Sequence, residues 1–161
     1  MVRLRKLTKE EFERYKAYSI QDYAKDLVHS GNATNETALQ SAMNEFNQIL
    51  PNGLETPCNY MYVVMTEEEE AIGFIWYGNS SYGEEMAFIF DVFILEPYRN
   101  NGYGTETISE VEKEAKLRGY KKMGLNVFRF NEGAHSLYVR CGYKAFEQFE
   151  GNIHMEKDIE S

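Results

Sequence analysis

Residues 93–119 contain a group of side chains that could bind an anion. The segment reads FILEPYRNNGYGTETISEVEKEAKLRG, so an apolar run leads to Arg99, then to Gly102 and Gly104, and then to a polar helical pattern. A helix that begins after such a turn has unpaired backbone N–H groups, and the helix dipole adds partial positive charge there. Glycine lets a ligand approach the backbone without a Cβ in the way. The sequence therefore predicts an anion site, and phosphate is the anion that this geometry commonly binds.

The two common nucleotide-binding loops do not match this turn. It lacks the lysine and the Ser/Thr that end a Walker loop, and it lacks the third glycine of the dinucleotide-binding fingerprint. A Gly-x-Gly pair by itself identifies no ligand, because turns and helix caps often contain one. A second motif, NEGAHSLYVRCGY at residues 131–143, follows about 30 residues later and narrows the choice.

Together, Arg-x-x-Gly-x-Gly and the second motif resemble the GNAT superfamily of acyl-CoA-dependent N-acyltransferases. In that family the first motif opens the pyrophosphate-binding helix and the second forms the next helix. The matching residues are Arg99, Gly102, Gly104, Asn131, Ala134, Leu137, Tyr138, Gly142 and Tyr143. Residues 46–62 further resemble bacterial members of unassigned substrate.

The resemblance implies acetyl-CoA as the cosubstrate. It assigns the pyrophosphate to the loop that carries Arg99 and to the backbone amides of Asn100, Asn101, Gly102, Tyr103, Gly104 and Thr105. Backbone groups of Val92, Phe93 and Ile94 are expected to pair with the pantetheine arm like an added strand. An amide in this region would polarise the thioester carbonyl, which is often the largest single contribution to acyl transfer.

The second motif implies one catalytic residue. In the family, a tyrosine at the position of Tyr138 lies near the thioester sulfur and can protonate the leaving thiolate. An unperturbed tyrosine pKa near 10 suits that role. Core packing is the alternative, because Tyr138 shares an inward helix face with Ala134 and Leu137. Asn131 is expected both to contact the cofactor and to cap its own helix.

The general base is not defined by the resemblance. Some members carry a glutamate six residues before the position of Ile94, where this chain has Phe88. Asp91 interrupts the apolar run FIFDVFIL, and a carboxylate there must be paired, hydrated or shifted in pKa. We therefore take Asp91 as the candidate base, with a hydrogen bond to a neighbouring loop as the structural alternative and proton removal by ordered water as another.

The cysteines and histidines suggest no other mechanism. Cys141 falls on the inward helix face and Cys58 follows Pro57, with no histidine adjacent to either, so a covalent acyl-thiol intermediate is disfavoured. The three histidines, His29, His135 and His154, have no metal-like spacing. No metal is expected.

Composition limits the class of protein. The 161 residues, 43% of them hydrophobic, suffice for one well-filled core, so we expect one domain over residues 1–161. A net charge of −9 disfavours nucleic acid and favours a cationic amine as acceptor. No apolar run approaches the roughly 20 residues that span a bilayer, and the N-terminus lacks a signal-peptide core. A cytoplasmic protein without a membrane partner is therefore predicted.

The elements that must position these residues follow the order β-α-α-β-β-β-α-β-α-β-β, an α/β fold with a mixed sheet that the resemblance identifies as GNAT-like. Thr8 and Glu11 form a capping box for the first helix. The second helix is predicted over residues 35–51, and residues 85–95 read as a central strand. The apolar positions of the second helix are Leu39, Met43, Phe46 and Leu50.

The predicted activity is transfer of an acetyl group from acetyl-CoA to a primary amine, directly and within a ternary complex. The alternative is a non-catalytic acyl-CoA-binding or sensing module. Aromatic side chains that could line the acceptor end, or simply pack in the sheet, are Tyr60, Tyr62, Trp76, Tyr77 and Tyr82. A homodimer through an extended sheet or a paired face stays open.

Overall fold

The computed structural model describes residues 1–149 and 151–160. In order, the elements are β1 (Arg3–Lys6), α1 (Lys9–His29), α2 (Ala38–Ile49), β2 (Asn59–Met65), β3 (Ala71–Ser80), β4 (Gly83–Ile94), α3 (Tyr103–Leu117), β5 (Lys122–Phe128), α4 (Glu132–Arg140), β6 (Lys144–Phe149) and β7 (Asn152–Asp158). This order of strands and α-helices is the one that the sequence predicts. Short 3-10 turns at Gly53–Glu55 and Glu96–Tyr98 precede β2 and α3.

One mixed sheet contains all of these strands. Its spatial order is β1-β2-β3-β4-β5-β7-β6, which places β4 in the centre as expected. Neighbouring strands are antiparallel except for β4 and β5, which run parallel. These two pair only over Met86–Ile89 and Lys122–Leu125, although both strands continue. Beyond Ile89 the strands part, and a V-shaped gap opens in the middle of the sheet.

Helices cover both faces of the sheet. On one face α3 and α4 pack against the strands, with Ile108, Val111 and Leu125 in the buried cluster. On the other face α1 and α2 pack around Phe46 and Phe74. The V-shaped gap therefore lies between two helical layers. None of the helices that the structure describes is long and apolar enough to cross a membrane.

The first turn of α1 is fixed by the predicted capping box. Thr8 Oγ1 accepts from the Glu11 N–H at 3.1 Å, and the Glu11 carboxylate accepts from the Thr8 N–H at 2.8 Å. Arg5 donates to both carboxylate oxygens of Glu11, and this ion pair lowers the pKa of Glu11 to about 2. The helix ends at His29, and Gly31, two residues later, has a φ of +83° that closes the last turn. The start and direction of α1, which lines the cavity described below, are thus determined locally.

The apolar face predicted for α2 is partly wrong. Leu39 and Met43 are 50% and 38% exposed, whereas Ala38, Ala42 and Phe46 are buried. The small side chains of Ala38 and Ala42 let α2 approach α1 closely. This face therefore packs inward, although the face with Leu39 and Met43 carries the larger apolar side chains. The helix is accordingly rotated from the orientation that its largest side chains favour.

Candidate active site

The turn before α3 forms a cradle of free backbone amides. Gly102 has a φ of +82° and precedes the first helical residue, and Asn100 has a φ of +65°. Within residues 1–149 and 151–160, the N–H groups of residues 100–105 have no hydrogen-bond acceptor. A Cβ built on Gly102 would meet nothing within 4 Å, so the cradle opens outward. Such a run of amides at a helix N-terminus attracts an anion.

Two side chains of the turn hold its shape. Arg99 Nε donates to the Ile94 carbonyl at 2.7 Å, which ties the turn to the end of β4. Asn101 Nδ2 donates to the carbonyls of Tyr98 and Arg99, each at 3.2 Å. Both side chains bond to carbonyl groups and leave the amides unoccupied. The sequence pattern placed these residues correctly at the turn.

The end of β4 provides an open strand edge beside the cradle. Val92, Phe93 and Ile94 are in register with β3 on one side, and the parting of β5 leaves them without a strand partner on the other. Acetyl-CoA carries a pyrophosphate and a long amide-bearing arm, so it requires an anion site next to backbone that can still form hydrogen bonds. The cradle and the open edge fit both parts of this molecule.

A cavity of about 300 Å³ lies next to the V-shaped gap. Its walls come from α1, α2, β3, β4, β5, α4 and the first residue of β7, which is why no single sequence motif marks it. Asp91 and Tyr138, the two predicted catalytic residues, both line this cavity, and so does Asn131. The structure therefore brings the expected residues together from β4 and α4.

Asp91 is bonded to α1 and not to a neighbouring loop. The Tyr15 hydroxyl donates to Asp91 Oδ2 at 2.8 Å, and the Ser19 hydroxyl donates to the Tyr15 oxygen at 3.3 Å. Burial raises the pKa of Asp91 to about 6, with a further rise from the Asp22 charge, and the Tyr15 hydrogen bond opposes this shift. Asp91 therefore changes its charge in the weakly acidic range.

Tyr138 is 8% exposed, and its ring packs edge-on against Tyr143 with 6.1 Å between centroids. The expectation of an unperturbed pKa is wrong. Burial, and next the charge of Asp91, raise the pKa of Tyr138 above its ordinary value. The hydroxyl is fully protonated at neutral pH as a result. Asn131 caps α4 as predicted, since its Oδ1 accepts from the Ala134 N–H at 3.1 Å.

An acidic wall was missed by the sequence reasoning. Asp22, Asp26 and Glu45 line the cavity on the side of α1 and α2. Burial and the neighbouring Asp22 charge raise the pKa of Asp26 to about 6. The available signal was spacing: Asp22 and Asp26 follow Tyr15 by seven and eleven residues, which places all three on one helix face. The wall has the charge expected for a cation site.

Of the five aromatic residues proposed as walls, Trp76 lines the cavity. The hydroxyls of Tyr62 and Tyr77 instead donate to Glu114 at 2.5 and 2.6 Å, on the α3 face of the sheet. Tyr60 packs there too, under the Arg118 guanidinium at 3.7 Å. Alternation along each strand explains the division, because successive side chains point to opposite faces. The remaining residue, Tyr82, stacks on His154.

The cysteines lie away from this chemistry. Cys58 is exposed and Cys141 is half-buried, and neither lines the cavity. Burial raises the pKa of the Cys141 thiol, which lowers its nucleophilic fraction. Across the described residues, no three His, Cys, Asp or Glu side chains form a group that could hold a metal ion.

Comparison with known proteins identifies the fold family. The model of the acetyltransferase (GNAT) family matches residues 7–143. The chain belongs to the GNAT family. Members of this family use acetyl-CoA as the acetyl donor.

Two Bacillus subtilis proteins are similar along most of this GNAT chain. The uncharacterized N-acetyltransferase YycN is 32% identical over 136 residues, which covers 84% of this chain and 87% of YycN. The uncharacterized N-acetyltransferase YdgE is 28% identical over 157 residues, or 97% of each chain. Both relatives bear the name of an acetyltransferase, which agrees with the GNAT assignment.

Solved structures confirm the GNAT fold. The crystal structure of the YycN acetyltransferase superposes with a TM-score of 0.86 at 29% identity and covers 92% of this chain and 96% of YycN. The PaiA N-acetyltransferase of Thermoplasma acidophilum, solved in complex with coenzyme A, has a TM-score of 0.70 at 18% identity and covers 98% and 99%. This GNAT protein is an acetyl-CoA-dependent acetyltransferase.

Proposed function

We propose that the protein acetylates a primary amine by direct transfer from acetyl-CoA within a ternary complex, with residues 1–161 acting as one catalytic domain. The observation that carries this proposal is the V-shaped gap after Ile89, because the open edge of β4 lies along it and Val92 of that edge also lines the cavity. Donor and acceptor can approach from opposite ends and meet where the strands part. Holding two reactants in this way removes much of the entropic barrier to a bimolecular step.

In this proposal the donor binds through the backbone. The amides of residues 100–105 hold the pyrophosphate, and Arg99 keeps that loop attached to the Ile94 carbonyl. Backbone groups of Val92, Phe93 and Ile94 pair with the pantetheine arm, and Asn131 contacts the cofactor from the start of α4. One amide of this strand polarises the thioester carbonyl.

The reaction forms one bond and breaks one bond. The neutral amine nitrogen attacks the thioester carbon, the new C–N bond forms, and the C–S bond breaks with its electron pair on sulfur. Tyr138 donates its hydroxyl proton to that sulfur and is then reprotonated by solvent. Asp91 accepts the proton that the attacking nitrogen loses, since its carboxylate faces the cavity and is ionised above about pH 6.

The Asp91 role predicts a specific pH dependence. A protonated carboxyl cannot accept a proton, so kcat/KM for the amine should fall as pH drops below about 6. Asp91→Asn should lower kcat/KM on the order of 100-fold at pH 7.5 and remove the part of this acidic limb that protonation of Asp91 causes. The exposed carboxylate of Glu84, on the same strand, gives the control Glu84→Gln. An Asp91→Asn enzyme of normal activity would contradict the role.

The same substitution should stabilise the fold at neutral pH. The folded-state pKa of Asp91 lies above its unfolded value, so the free energy of unfolding falls as Asp91 ionises between about pH 4 and pH 6. An uncharged asparagine avoids this loss. Asp91→Asn should therefore raise Tm at pH 7.5 by about 2–4 °C, the shift that ~1 kcal/mol produces in a domain of this size, and by less at pH 4. Thermal unfolding at the two pH values measures this difference.

The acidic wall indicates a cationic acceptor. Asp22 and Asp26 are separated by one helical turn, and their mutual repulsion contributes to the raised pKa of Asp26. A cation in the cavity would relieve that repulsion. Asp22→Asn with Asp26→Asn should raise KM for the amine about tenfold, leave the Kd of acetyl-CoA unchanged, and reduce the salt dependence of KM. Glu13→Gln removes a carboxylate from an exposed position of α1 and should change neither.

Two measurements test the proposed function. Calorimetric titration with acetyl-CoA should show binding, and a chromogenic thiol reagent should then show coenzyme A release with a panel of amines: methylamine, 1,4-diaminobutane, spermidine, lysine and a peptide N-terminus. Varying both substrates should give intersecting double-reciprocal lines, whereas parallel lines would indicate a covalent intermediate. Acetyl-CoA binding without turnover of any amine would favour the non-catalytic binding or sensing module.

A further inference from the structure

A buried histidine contacts a residue of the acceptor cavity and has no part in the chemistry above. His154 on β7 is 1% exposed, and both of its ring nitrogens have polar neighbours. Nδ1 lies 2.9 Å from Asn126 Oδ1, and Nε2 lies 2.7 Å from Glu156 Oε2. Gly124 keeps space for the ring, because a Cβ there would lie 3.2 Å from His154 Cε1. The imidazole is therefore fixed in place between an amide and a carboxylate.

Asn126 connects this histidine to the substrate site. It follows Leu125, the last residue of β5 that pairs with β4, so it stands where the V-shaped gap begins. Its side chain lines the cavity and faces His154 directly across the β5–β7 pair. A carboxamide has an oxygen end that accepts and a nitrogen end that donates. One end contacts His154, and the other end is available to the cavity.

The protonation of His154 Nδ1 determines which end of the Asn126 carboxamide faces the cavity. An ionised Glu156 carboxylate only accepts hydrogen bonds, so Nε2 must carry a proton. In the neutral ring Nδ1 is then an acceptor, and Asn126 must offer it the NH2 group and turn Oδ1 toward the cavity. In the charged ring Nδ1 donates to Oδ1, as in the geometry described above, and the NH2 group faces the cavity.

We propose that His154 is a positioning residue whose Nδ1 proton decides whether Asn126 presents an oxygen or an NH2 group to the acceptor. The proposal rests on the proposed function for its consequence: an amine or ammonium group is bound by the oxygen and not by the NH2 group. Neutral His154 should thus favour binding of the acceptor, and protonated His154 should weaken it.

The surroundings of His154 contain few groups that could take over this role. Glu156 is on its own strand, and Glu147 is its cross-strand partner on β6. Tyr82, from the turn between β3 and β4, stacks on the ring at 4.0 Å between centroids, and Phe88 on β4 lies parallel at 6.2 Å. Asn126 is the neighbour on β5. Of these neighbours, Asn126 is the one that both bonds to the ring and lines the acceptor cavity.

Nuclear magnetic resonance tests the proposal without any substrate. We expect the side-chain NH2 signals of Asn126 to shift with pH at the same midpoint as the imidazole nitrogens of His154. Glu156→Gln should move both midpoints together. His154→Phe, which keeps the aromatic stack, should remove the part of the Asn126 shift that follows the His154 ring and leave any part that comes from Asp91 and Asp26 in the same cavity. The proposal is overturned if the Asn126 signals do not follow those of the His154 ring.

A kinetic cycle tests the consequence, with the panel amine that gives the highest turnover. Asn126→Ala and His154→Phe should each raise the KM of that amine about tenfold, the value of one hydrogen bond, and the double variant should raise it no further. The Kd of acetyl-CoA should not change. Additive effects, or unchanged KM values, would overturn the proposal. If the wild type acetylates no amine, the proposed function fails, and the resonance experiment still decides the role of His154.

Discussion

Gly102→Glu should lower the affinity for acetyl-CoA at least 100-fold. The substitution places a carboxylate in the open space of the amide cradle, next to the position proposed for the pyrophosphate. Two like charges about 4 Å apart repel by about 4 kcal/mol at an effective dielectric constant near 20, and salt reduces this value. Calorimetric titration of the purified variant measures the loss.

Gly119→Glu is a matched control for this experiment. Gly119 follows the other end of α3, has a φ of +100° and, like Gly102, has open space where a Cβ would stand. Both variants therefore carry the same charge and a comparable backbone strain. Gly119→Glu should bind acetyl-CoA normally, and Gly102→Ala should show the strain without the charge. Equal affinity in the two glutamate variants would show that the cradle does not hold the donor.

Tyr138→Phe should lower kcat about 100-fold with little change in the Kd of acetyl-CoA. The substitution removes only a hydroxyl, so the packing against Tyr143 is retained and the effect should be confined to proton donation. The raised pKa keeps that proton on Tyr138 until negative charge develops on the sulfur. Single-turnover measurement of coenzyme A release separates the chemical step from product release.

Tyr143→Phe provides the comparison for Tyr138→Phe. Tyr143 is also buried, and its hydroxyl donates to Glu112 at 2.8 Å outside the cavity. Loss of that hydrogen bond should lower Tm while kcat stays close to the wild-type value. An unchanged kcat in Tyr138→Phe would assign Tyr138 to the core and leave protonation of the thiolate to solvent.

The sequence was sufficient for the elements and for the glycine turn before α3. Periodicity and capping residues marked the strands and helices, and the spacing of Arg99 and Gly102 placed the turn. This success has a local cause, because a cap or a glycine turn is determined by residues a few positions apart. Asp91 was also identified from its place in an apolar strand, although its partner Tyr15 lies 76 residues away.

The acceptor side could not be predicted in the same way. Whether Leu39 or Ala42 faces inward depends on how closely α2 approaches α1, which no pattern within α2 records. His154 and Asn126 are likewise 28 residues apart and meet only through the β5–β7 register. A cavity assembled from seven elements is a property of tertiary packing, and no pattern within one element predicts its complete lining.

The short β4–β5 pairing has a consequence for the lifetime of the protein. Only four residue pairs between β4 and β5 join the two halves of the sheet, β1–β4 and β5–β7. A donor that binds across the gap therefore also holds these two halves together. A ligand present at about 100 times its Kd adds ~2.7 kcal/mol to the free energy of unfolding. Resistance to proteolysis would then follow the supply of acetyl-CoA, and starvation for the acetyl donor would shorten the survival of the protein as well as slow its turnover.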